Sequence, residues 1–110
     1  MFRFKAFIIS ILFSLSATAE QATYTSTISK VYPLADGGFI VAFKEDSPNC
    51  PRNLTPKYHS VEVGKNGVTQ EGLNLIFSAA LAAGASGKPV TIVFDGSSEN
   101  CYINRLSVNF

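Results

Sequence analysis

His59 is the only histidine in the chain, and Cys50 and Cys101 are the only cysteines. Acid–base, nucleophilic and metal chemistry therefore have few residues to draw on. A catalytic imidazole needs a nucleophile and an orienting carboxylate within reach. No G-x-S-x-G or comparable pattern supplies them. His59 alternates with Val61 and Val63, which reads as a partly buried or rim histidine on one strand face. A small hydrolase built on His59 is the competing reading. Two cysteines and one distant histidine are too few for structural zinc, and no C-x-x-C occurs. The acidic residues are scattered, and Asp36 and Asp95 fall at turns, where carboxylates bond local backbone. A glycosidase needs two carboxylates facing one cleft, and the scattered set singles out no such pair. No catalytic residue, metal site or cofactor follows from these patterns.

Two further motifs carry little. Ala83-Gly84-Ala85-Ser86-Gly87-Lys88 has part of a phosphate loop, but that pattern needs Gly at 82 and Ser or Thr at 89. Here those positions are Ala82 and Pro89. The stretch also closes a predicted helix, so its amides would not point at a phosphate. Asn53-Leu54-Thr55 is a glycosylation sequon that reads as chance in a bacterial-looking protein. The amphipathic aromatics are Tyr24, Tyr32, Tyr58 and Tyr102. Tyr24 lies among Thr23, Thr25, Ser26 and Thr27, so Tyr24, Thr25 and Ser26 are the candidate ligand-binding residues. A sugar can stack on the ring and bond the hydroxyls. Half-buried strand tyrosine is the alternative.

The N-terminus carries an export signal. Arg3 and Lys5 precede the apolar run Ala6 to Leu15, and Ala17-Thr18-Ala19 is an A-x-A site followed by Glu20. Charge, apolar run and small-residue site in that order are the parts of a secretory signal. A spanning helix needs roughly 20 apolar residues, about twice this run. No stable membrane insertion is expected after cleavage. The reading is a signal peptide over residues 1–19 and a single domain over 20–110. The compact signal looks bacterial, and the destination is the periplasm or the outside.

Cleavage removes Arg3 and Lys5 from the nine Lys+Arg, leaving seven against eight Asp+Glu. The mature chain is then near-neutral, so no long-range field recruits nucleic acid or anionic lipid. A domain of this size buries only about 60–65% of its unfolded surface and is marginally stable. In an oxidising compartment Cys50 and Cys101 pair most simply as one disulfide. Closing a loop of about 50 residues is worth roughly 4 kcal/mol in the chain-entropy model.

The mature chain reads as strand Thr23–Leu34, a tight turn at Asp36-Gly37-Gly38, and strand Phe39–Phe43 forming a hairpin with the first. Residues 44–57 contain three prolines and form a long loop pinned by Cys50. A third strand follows over Tyr58–Val63. Thr69 caps a helix whose stripe is Leu73, Ile76, Phe77, Ala80 and Leu81, stopping near Gly84 and ended at the latest by Gly87-Lys88-Pro89. Pro89–Asp95 is the fourth strand. Asn100–Asn109 is the fifth, with Cys101 at its start.

The fold class is mostly β with one helix. The order β-β-β-α-β-β is that of the OB-fold, a five-stranded, partly open Greek-key barrel. In that fold strands three and five are parallel neighbours, which brings Cys50 and Cys101 to one end. A generic α+β sandwich is the alternative. The segment Leu75–Leu106 (LIFSAALAAGASGKPVTIVFDGSSENCYINRL), with its apolar helix, Gly87-Lys88-Pro89-Val90 and alternating strand, resembles subtilase cytotoxin B subunits and small exported bacterial OB-fold proteins. The resemblance implies an OB-fold and glycan binding by a homo-oligomeric ring of subunits. It transfers no sugar-contacting residue. The functional expectation is an exported, non-enzymatic binding module for a glycan. The alternative is a periplasmic accessory or inhibitor-like protein whose partner is another protein.

Overall fold

The computed structural model describes residues 20–110, and the proposed signal segment lies outside the described residues. The elements are β1 (Gln21–Pro33), β2 (Phe39–Phe43), β3 (Tyr58–Val61), α1 (Gln70–Ser86), β4 (Pro89–Asp95) and β5 (Ile103–Val108). The strands form one five-stranded sheet in the order β3-β2-β1-β4-β5, and every neighbouring pair is antiparallel.

The long first strand organises the sheet. Its first half, Gln21 to Thr27, pairs with β4. Its second half, Ile28 to Pro33, pairs with β2. The register shifts between Ile28 and Lys30, so Ser29 is an extra residue, and such a bulge bends a strand and increases its twist. The bulge also resets the alternation. Tyr24, Ser26 and Ile28 share the core-side parity before it, and Val31 packs on the core after it. Lys30 and Tyr32 therefore point outward.

The β1–β2 hairpin is as expected. Leu34 N donates to Gly38 O at 2.7 Å, and Gly38 N donates to Asp36 Oδ1 at 3.0 Å. Gly37 holds φ at 93°, a conformation open to glycine at little cost. Two strands are shorter than expected. β3 ends at Val61 because the next turn starts early, with Lys65 N donating to Glu62 O at 3.2 Å. β5 starts at Ile103, and Cys101 lies in the preceding turn with φ 46°, its N–H donating to Ser98 O at 3.2 Å.

The helix begins as predicted, with Thr69 Oγ1 accepting from Gly72 N at 3.0 Å. It runs two residues past Gly84 and stops at Gly87, which takes the left-handed C-cap conformation. Gly84 does not end it, because a helical glycine costs only about 1 kcal/mol. The buried stripe is Leu73, Ile76, Ala80 and Ala83. Phe77 packs partly on the core, whereas Leu81 is 47% exposed. The alanines let the helix lie close over β1, β5 and β4. Between helix and sheet sit Phe39, Val41, Phe43, Val61, Val90, Ile92, Phe94 and Ile103.

The mostly β class and the element order are as expected, but the five strands form an open antiparallel sheet that does not close into a barrel. β3 and β5 are the two sheet edges and run in the same direction; Ser60 N of β3 donates to Asn100 O, in the turn before β5, at 3.0 Å, and no ladder joins the two strands among the described residues. Cys50 and Cys101 lie at this meeting point and form the disulfide, with Cα atoms 5.8 Å apart.

Candidate functional site

His59 lies on the inner face of β3 and is fully buried. Its Nδ1 is 3.2 Å from Cys101 O. A carbonyl only accepts, so Nδ1 carries the proton and Nε2 is bare; Nε2 is buried and has no hydrogen-bond partner among the described residues. The ring stands edge-on to Phe94 at 4.5 Å and to Phe43 at 5.5 Å. Burial holds its pKa down to about 4, against smaller opposing effects from the Cys101 carbonyl and Asp46. The imidazole is thus a neutral aromatic piece of the core, and neither nitrogen faces solvent.

The three residues singled out on β1 are split by the pleat. Tyr24 and Ser26 have core-side parity and are half-buried. The Tyr24 ring meets Phe43 edge-on at 5.4 Å, and its hydroxyl donates to Glu45 O at 2.6 Å. Tyr24 therefore ties the Pro-rich loop to the sheet. Thr25 points outward with Thr23, and both are exposed.

Thr25 belongs to a different cluster. The register sets it beside Thr91 of β4, which in turn faces Ser107 of β5. Thr25 Oγ1 and Thr91 Oγ1 share a hydrogen bond at 2.8 Å. Asn109 Nδ2 donates to Thr91 Oγ1 at 3.0 Å. Thr23, Val93 and Arg105 form the adjacent row on this face. The outer surface of β1–β4–β5 thus carries the hydroxyls and amide of Thr25, Thr91 and Asn109, joined by their own cross-strand bonds, beside Thr23, Val93 and Arg105.

Sequence reasoning missed Thr91, Ser107 and Asn109 because they lie far from Thr25 along the chain. Alternation offered a signal: Val90, Ile92 and Phe94 take the core side of β4, so Thr91 must take the other.

A second cluster sits on the outer face of β1–β2–β3. The rings of Tyr32 and Tyr58 meet edge-on at 5.8 Å. Arg52 of the loop lies over Tyr58 at 4.8 Å, and Lys30 lies 5.9 Å from the Tyr32 centroid. Ala42 pairs with Lys30 on one side and Tyr58 on the other. It shares their outward parity yet is only 1% exposed, so these long side chains roof it.

Surface depressions elsewhere include one of about 310 Å³ lined by Glu20, Gln21, Ala22, Asn49 and Gly96. Others of about 280 and 400 Å³ flank the two sides of α1. Among the described residues no group of three or more His, Cys, Asp or Glu could hold a metal ion. No described helix is long and apolar enough to cross a membrane. Set against protein-family models and against curated proteins, the chain matches none.

Proposed function

We propose that this chain is an exported, non-enzymatic binding module, folded as a partly open OB-like barrel, that holds a glycan on the outer face of β1–β4–β5. The observation that carries the ligand reading is the Thr25–Thr91–Asn109 array. Each hydroxyl has one proton and two lone pairs, so a hydroxyl bonded to a neighbour keeps capacity for a sugar. Held in place before binding, the array loses little side-chain freedom when a ligand arrives.

Three observations support the architecture and the export. The helix lies between β3 and β4, and the parallel edges β3 and β5 approach at Ser60 and Asn100. The described ladder starts at Gln21, so cleavage after Ala19 leaves all of it in the mature chain. The disulfide suits an oxidising compartment. The likeness of Leu75–Leu106 to subtilase cytotoxin B subunits adds a homo-oligomeric ring to the proposal.

A glycan array probed with the processed protein, residues 20–110, tests this reading, and native mass spectrometry reports the assembly. Binding of one or more glycans is expected, weakened about tenfold or more by Thr91→Val, which keeps the side-chain shape and removes the hydroxyl. A strict monomer that binds no glycan overturns it. A protein partner is the second reading, favoured by the tyrosine–cation cluster on the other limb of the sheet.

A further inference from the structure

We infer that Lys30, Tyr32, Tyr58 and Arg52 form a docking surface for an acidic segment of a protein partner. Tyrosine and arginine are the residue types that concentrate binding energy at protein interfaces. Here two of each kind of group, aromatic and cationic, are packed against one another on an outward sheet face. Lying over Tyr58 at 4.8 Å steadies the guanidinium, whose terminal Nη groups can offer N–H donors to a carboxylate.

The loop is built to hold that guanidinium still. Cys50, two residues before Arg52, is bonded to Cys101. The Arg52 carbonyl accepts from Lys57 Nζ. The Tyr24 hydroxyl anchors Glu45. Asp46 Oδ1 accepts from the Lys57 amide at 2.8 Å, and among the described residues neither Lys30 nor Arg52 is paired with a carboxylate. Charge complementarity therefore selects an acidic partner. The near-neutral mature chain adds no long-range attraction for a polyanion, so recognition rests on short-range contacts at this cluster. The surface uses none of the β1–β4–β5 hydroxyls and stands or falls apart from the glycan reading.

The test is a titration of ¹⁵N-labelled residues 20–110 at low salt with a short blocked peptide of alternating Glu and Gly. Its Gln counterpart and an oligogalacturonate run in parallel. An isolated peptide is expected to bind at roughly millimolar strength. Its shifts should centre on the amides of residues 30–32, 52 and 58 and fade as salt rises. Arg52→Gln should weaken binding about tenfold or more, and Thr91→Val should leave it unchanged. Lys30→Gln, an exposed change on a paired strand, provides a second variant with the same expected direction if the loop tolerates no change at Arg52. Absence of shifts at the cluster overturns the proposal. So does equal binding of the Gln peptide, or unchanged affinity in the charge-removing variants. Binding of the oligogalacturonate there without the Glu peptide overturns it in favour of an acidic sugar.

Discussion

His59 places a titratable ring where its charged form has nowhere to go. Protonation would add an Nε2–H among Phe43 and Phe94 with no acceptor beside it. The folded pKa of about 4 lies below the ordinary 6.5. Between those values the unfolded chain binds a proton that the folded chain refuses. Stability from this group is therefore whole above pH 6.5 and falls as pH drops towards 4, by roughly 3 kcal/mol in all. Urea unfolding measured from pH 7 to pH 4 should show that loss in the wild-type protein, and His59→Phe should lack this component. Parallel pH profiles for the two would contradict the burial account. The side of β3 that His59 takes was legible from Val61. Its complete enclosure was not, because its ring partners come from β2 and β4 and its hydrogen-bond partner is Cys101.

At the scale of elements, β1 and the 44–57 loop decide where surfaces form. Strand type, hairpin, helix cap and the Cys50–Cys101 pairing could all be read locally, since each depends on neighbouring residues or on the only available partner. The site on β1 could not be read as a run of neighbours. Tyr24, Thr25 and Ser26 are adjacent in sequence but alternate across the sheet, and the Tyr24 hydroxyl bonds the loop at Glu45. The bulge at Ser29 then turns Lys30 and Tyr32 outward, a shift that no periodicity count over an unbroken strand anticipates. The helix ran past Gly84 because a glycine inside a packed helix is tolerated and the left-handed cap came at Gly87. The loop depends on the disulfide for its position, with a few polar bonds besides. Hydrogen exchange with and without reductant should show residues 44–57 losing protection before the strands do. Equal protection there in both conditions would show that the staple does not hold the loop.

On the scale of the whole molecule, one bent strand gives the sheet two outer faces of different chemistry. The β1–β4–β5 limb presents hydroxyls and amides, and the β1–β2–β3 limb presents tyrosines with cations. The core between them, stapled at the open edge by Cys50–Cys101, holds both faces in register. If the hydroxyl face receives the glycan, as proposed, adding the strongest array glycan to residues 20–110 should move backbone chemical shifts grouped at Thr23, Thr25, Thr91, Ser107 and Asn109. Shifts centred instead on the flanks of α1, or none on this face at saturating glycan, would contradict the proposal.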